Sequence, residues 1–199
     1  MLLALGVSFS RIFLGVHFPI DVLGGILIGL AVWFGVDWSI HNIGPVLVRA
    51  GWLAQCGAAA TASAIILLAQ AGVLAALRPI VDPAAWAVNA ARINVIAPRD
   101  PAEIVGMAGL LLGLGAGLAC QQRWAPFRAD GPVGRRVLRF LLGFAVLLLI
   151  WRGLPILWNE YAQPAALLLR YLRYALVGFW AVFLAPLVFL RLRLAEPGG

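Results

Sequence analysis

The chain has 199 residues, 63% of them hydrophobic and only 12% charged, with a mean hydropathy of +0.98. A soluble domain carries roughly 25% charged residues, so a water-soluble globular fold is excluded. The expected fold class is an all-α, polytopic transmembrane helical bundle of about six spans. The net charge of +7 comes from 15 arginines and no lysine. In an apolar chain such charge reports membrane topology rather than a nucleic-acid surface, so no nucleic acid is expected as a partner.

A helix needs about 20 apolar residues to cross a bilayer. The first predicted span, residues 1–14, is short, and no basic segment precedes it, which argues against a signal peptide. The second covers residues 19–37 and carries Gly25 and Gly29, a pair suited to close approach by another helix.

Between these two runs lies the stretch from Ser10 to Asp21: Ser10-Arg11, five residues, His17, three residues, Asp21. Polar groups in hydrocarbon surroundings cost several kcal/mol each unless they are paired. On a helix, His17 and Asp21 would share a face, and Pro19 suits a first helical turn. A carboxylate beside an imidazole selects its tautomer and raises its basicity, the arrangement of a nucleophile or general base. Arginine is the side chain best shaped to hold a pair of phosphate oxygens. Together they suggest a phosphoryl group, an attacking His17, its orienter Asp21 and the clamp Arg11.

The spacing resembles the third signature motif of the type 2 phosphatidic acid phosphatase family, relatives of the vanadium haloperoxidases. Every fixed position of that motif is matched. The resemblance implies that His17 takes the phosphoryl group, that Asp21 orients it and that Arg11, with Ser10 beside it, binds the transferring phosphate. It implies no metal and no cofactor. The family's two earlier motifs, a Lys with a later Arg-Pro and then Pro-Ser-Gly-His, have no counterpart in this chain, which lacks lysine. The expectation is therefore a C-terminal fragment of a longer phosphatase, with an upstream segment or a partner supplying the other motifs. Residues 1–36 would belong to the phosphatase core and residues 37–199 to a C-terminal membrane extension of about four spans.

The rest of the chain is read from its residues alone. Residues 38–52, with Trp38, His41, Asn42, Pro45, Arg49 and Trp52, read as an interfacial connection, and His41 as an interfacial rather than a catalytic histidine. The third span is 53–77. Pro83 to Val95 is expected to be a short surface helix anchored by Trp86, with Asp82 at its start. Asp100, Pro101 and Glu103 suit the start of a fourth span, 104–122, whose Gly109, Gly113 and Gly117 form a packing stripe. A loop at 123–136 carries Arg123, Arg128, Arg135 and Arg136; spans at 137–158 and 165–190 follow. Cys56 and Cys120 are read as isolated core residues, without partners for a disulfide or a metal. Arg152 and Arg173 are read as snorkelling to an interface; with Arg170 they have the alternative of an anionic-headgroup site, with Glu160 nearby.

Six spans place Arg49, the four loop arginines, Arg191 and Arg193 on one side. Arg78, Arg92 and Arg99 fall on the other, offset by Asp82, Asp100 and Glu103. The positive-inside rule puts the first group in the cytoplasm and the His17 loop outside, in a cell membrane such as a bacterial inner membrane. The expected activity is that of an integral-membrane lipid phosphate phosphatase, its partners a lipid phosphate substrate and membrane lipids. The competing expectations are a non-catalytic membrane module that binds lipid or a partner protein and, resting on Arg152, Arg170 and Arg173 alone, a transporter.

Overall fold

The computed structural model describes residues 2–15, 17–81, 99–157 and 165–198. The expected surface helix Pro83 to Val95, with Asp82 and Trp86, lies outside these residues, as does Glu160. The described chain is helical apart from one short strand pairing. It forms two compact units, residues 1–49 and 50–199.

The first unit holds α1 (Leu2–Phe13), α2 (Pro19–Asn42) and most of α3 (Gly44–Ala50). The connection expected after residue 37 is largely helical. Ser39, His41 and Asn42 bond back to the carbonyls of Gly35, Asp37 and Trp38 at 2.7–2.8 Å, so each polar side chain satisfies itself on its own helix. Pro45 then sits in the first turn of α3, where a missing N–H costs nothing. Gly25 and Gly29 form no close-approach face here: a Cβ at either would meet nothing within 4 Å.

The second unit comprises α4 (Trp52–Leu77), α5 (Ala102–Trp124), α6 (Val133–Leu157) and α7 (Ala166–Arg191). With α2, these are the five described helices long and apolar enough to cross a membrane; α1 is a shorter apolar helix. The chain is thus an all-α, multi-pass membrane protein. Its organising element is α5, whose glycines let backbones touch. A Cβ on Gly109 would collide with the Tyr171 carbonyl and one on Gly113 with the Ala175 carbonyl, while one on Gly178 of α7 would lie 2.8 Å from the Leu110 carbonyl oxygen. Lipid tails are as apolar as leucine, so this contact replaces hydrophobic driving force with dispersion at close range.

Several polar residues in this unit are paired, whereas the buried Arg170 Nε has no hydrogen-bond partner among the described residues and its guanidinium lies 5.6 Å from the Tyr174 ring centroid. Ser63 is fully buried; its hydroxyl donates to the Ala108 carbonyl and meets the Tyr171 hydroxyl, both at 2.8 Å, linking α4, α5 and α7. Asp100 accepts the Ala102 amide at 2.9 Å at the start of α5. Arg99 donates to the carbonyls of Leu77 and Ile80 near the end of α4. Arg173 does not snorkel: it is only 3% exposed, donates to the Trp151 carbonyl at 2.8 Å and lies 4.7 Å from the Tyr174 ring centroid. Arg152 is exposed and lies over the Trp151 ring.

Cys56 and Cys120 are not isolated either. Trp52 and Trp124 meet edge to face at 4.8 Å, and a Cβ on Gly115 would lie 2.6 Å from that of Ala59. The antiparallel register between those contacts sets the two thiols, both free, opposite one another. At one end of the unit, β1 (Phe127–Arg128) pairs antiparallel with β2 (Glu196–Pro197), tying the arginine loop to the C-terminal segment. Buried Arg139 sits within this end and donates to the carbonyls of Arg128, Ala129 and Asp130.

Candidate active site

The site forms where α1 stops and α2 starts. Near its end, the Leu14 amide bonds the Ser10 carbonyl and the Gly15 amide bonds the Ile12 carbonyl. Gly15 has a φ of +67°, a left-handed conformation that glycine adopts without a Cβ penalty. The chain reverses there and re-enters a helix at Pro19, with Phe18 extended at the cap. The turn therefore sets His17 just ahead of α2, with Asp21 in its first turn.

Asp21 Oδ2 accepts the Phe18 amide at 3.0 Å. This satisfies one of the orphan donors of the helix start, and a carboxylate there also suits the helix dipole. The same oxygen lies 3.9 Å from His17 Nδ1, with both side chains half exposed. At that distance the pair is an ion-pair contact and not a hydrogen bond; catalytic contacts often close up only when substrate binds. With Asp21 on the Nδ1 side, Nε2 is the ring nitrogen left for chemistry.

Arg11, His17 and Asp21 line one open cavity of about 340 Å³, along with Val7, Ser8 and Gly25. The chosen trio is therefore brought together by the fold. Ser10 is not in the lining. Its hydroxyl donates to the Val7 carbonyl at 2.8 Å, one turn back on its own helix. Ser8 takes the place facing the cavity and was not singled out in the sequence. The available signal was spacing: Ser8 and Arg11 are three apart and share a helix face. His41 lies 3.7 Å from Asp37, both strongly exposed, and neither lines this cavity. Among the described residues no group of three His, Cys, Asp or Glu side chains comes together to hold a metal.

Chemically, the cavity sets an imidazole with a carboxylate on its Nδ1 side beside a guanidinium suited to an anion. Residues 1–44 match the family model described as PAP2 superfamily, and residues 105–197 match PAP2 superfamily phosphatase, transmembrane extension. Neither a curated protein nor a solved structure matches the chain significantly.

Proposed function

The chain belongs to the PAP2 superfamily of phosphatases, and from that premise we propose that it serves an integral-membrane lipid phosphate phosphatase in which His17 is the nucleophile. The observation that carries this reading is the convergence of Arg11, His17 and Asp21 on one cavity. His17 Nε2 attacks the phosphorus of a phosphomonoester or diphosphate. The N–P bond forms as the bond to the leaving oxygen breaks, and water then displaces the histidine to release phosphate. Splitting the transfer replaces one difficult step by two easier ones. Arg11 meets charge on the equatorial oxygens of the loose transition state. Asp21 keeps a proton on Nδ1, so that the Nε2 lone pair faces the substrate, and it stabilises the ring once phosphorylated.

Two roles have no candidate among the residues that line this cavity. The leaving oxygen needs a proton donor, and the phosphate needs more cations than Arg11 alone. The superfamily resemblance assigns these to a Pro-Ser-Gly-His histidine and a lysine, neither of which the sequence holds. In this proposal an upstream segment or a partner supplies them, and the site opens to the exterior. The alternative is a membrane module without catalysis, favoured by that same absence of lysine. The deciding experiment is acid-labile phosphate trapping on the catalytically competent protein. Wild type should label, and His17→Ala should not. Equal labelling of His17→Ala would leave the motif a structural turn.

A further inference from the structure

A groove in the second unit lies far in sequence from the His17 site. It has a volume of about 430 Å³ and runs between α6 and α7, within the roughly 300–1,000 Å³ of ligand sites. On α6, Arg136, Phe140 and Phe144 are four apart and stand on one stripe. The two phenyl rings stack at 5.5 Å. On α7, the helix widens into a π-helical turn, Trp180–Leu184, a feature that often marks functional positions. The Trp180 indole N–H donates to the Gly143 carbonyl at 3.0 Å, so its polar edge is satisfied and the ring is left as apolar lining. Ala181 and Ala185 leave the space that larger residues would fill.

The groove is therefore apolar along its length and cationic at the end nearest the arginine loop. The cations there differ in what they have left to offer. Arg128 is held by Asp130 at 3.1 Å. Arg139 is buried and committed to three loop carbonyls. Exposed Arg136 uses only Nε, on the Gly131 carbonyl at 2.9 Å. Its two terminal nitrogens take no acceptor among the described residues, and the residue lies in the first turn of α6, next to the loop.

We propose that this groove seats an acyl chain of one anionic phospholipid, with the lipid phosphate held by Arg136. The chain belongs to a membrane protein, so acyl chains are the apolar matter at hand. Charge complementarity selects an anionic headgroup over a zwitterionic one. The bound lipid would cover Trp180 and Phe144 and tie the arginine loop to the membrane surface. This proposal concerns binding alone and stands apart from the phosphatase reading.

The test uses the full chain in phosphatidylcholine nanodiscs doped with phosphatidylglycerol bearing a diazirine on its acyl chain. After illumination and digestion, adducts are mapped by mass spectrometry. The expected result is labelling concentrated on peptides carrying residues 140–147 or 180–189, and weaker labelling by a diazirine phosphatidylcholine. Arg136→Gln should lower the phosphatidylglycerol signal roughly fivefold, the effect of one arginine near an anionic headgroup. Ala181→Phe should lower it by filling the groove. Arg123→Gln removes a charge from the last turn of α5, outside the groove lining, and should change nothing. Soluble glycerol phosphate should not compete; competition would identify the ligand as a free phosphate and overturn the acyl-chain half of the proposal. Labelling spread evenly over all apolar faces would also overturn it, as would equal labelling by phosphatidylcholine. So would an equal loss in Arg123→Gln, or an unlabelled chain that forms dimers with the groove covered by a second copy. If Ala181→Phe fails to fold, the wild-type map and Arg136→Gln still decide.

Discussion

Asp21 uses one carboxylate oxygen twice: Oδ2 caps the Phe18 amide at 3.0 Å and faces His17 Nδ1 at 3.9 Å. Two substitutions separate these duties. Asp21→Asn retains an oxygen for the cap but loses the charge, so thermal stability should change little while phosphohistidine formation slows, by up to about 10⁴. Asp21→Ala loses both, adding roughly 1 kcal/mol of destabilisation from the missing cap. Melting curves in detergent and rapid-quench labelling read the two effects. Wild-type labelling by Asp21→Asn would remove Asp21 from the chemistry and leave it a cap.

The purified chain by itself should show no turnover of phosphatidate or of a prenyl diphosphate in detergent. The motivation is the absence of lysine and of Pro-Ser-Gly-His from the sequence. Phosphate release that vanishes in His17→Ala would contradict this expectation and mean that the second cation and the proton donor come from residues in this chain.

The α5–α7 contact should not tolerate a methyl group. Gly113→Ala would push a Cβ into the Ala175 carbonyl and within 2.9 Å of the Phe179 amide nitrogen. Backbone cannot yield as a side-chain tip does, so a loss of about 1–3 kcal/mol is expected. Gly24→Ala on α2, where a Cβ meets nothing within 4 Å, is the control and should be neutral or slightly stabilising. Unfolding in sodium dodecyl sulfate measures both. Equal stability of Gly113→Ala and wild type would refute the packing described here.

Mild oxidation with copper phenanthroline should join Cys56 to Cys120 within one chain. The bracketing contacts, Trp52 with Trp124 and Ala59 with Gly115, hold α4 and α5 in the register that opposes these thiols. Both sulfurs should lose alkylation by a maleimide and regain it after reduction, with no dimer on a gel. If both remain alkylatable after oxidation, the α4–α5 register is wrong.

Topology is testable with terminal reporters. β1 and β2 bring Arg128, with Arg123 at the end of α5 and Arg135 and Arg136 at the start of α6, to the same end as Arg191 and Arg193. The positive-inside rule makes a cytoplasmic position the expected outcome for this end. A C-terminal alkaline phosphatase fusion should be inactive and a C-terminal fluorescent protein bright. The reverse pair would overturn this orientation.

Much of this was legible in the residues because it rests on short-range rules. Apolar length alone located the long helices, since a backbone in hydrocarbon has to satisfy itself by helix formation. Four-residue spacing with Pro19 placed His17 and Asp21 about one turn apart, and the glycine stripe of α5 read correctly as packing. What the sequence could not supply were contacts between residues far apart in the chain. Cys56 and Cys120 look solitary along the chain; only the α4–α5 register opposes them. Arg173 reads as a snorkelling cation until the Trp151 carbonyl and the Tyr174 ring are seen to enclose it. Ser10 and Ser8 are chemically equal in the sequence, and helix phase decided which one faces the cavity. The arginines around the turn from α5 to α6 carry identical charge, yet Arg139 is spent on loop carbonyls and Arg128 on Asp130, while Arg136 keeps donors free. The loop expected at 123–136 is shorter, since α5 runs to Trp124 and α6 starts at Val133. Composition determined the solvent this protein lives in and local spacing determined its candidate chemistry. Which polar groups are satisfied, and which remain available to a ligand, was decided by tertiary structure, because a hydrogen-bond partner is a matter of distance in space.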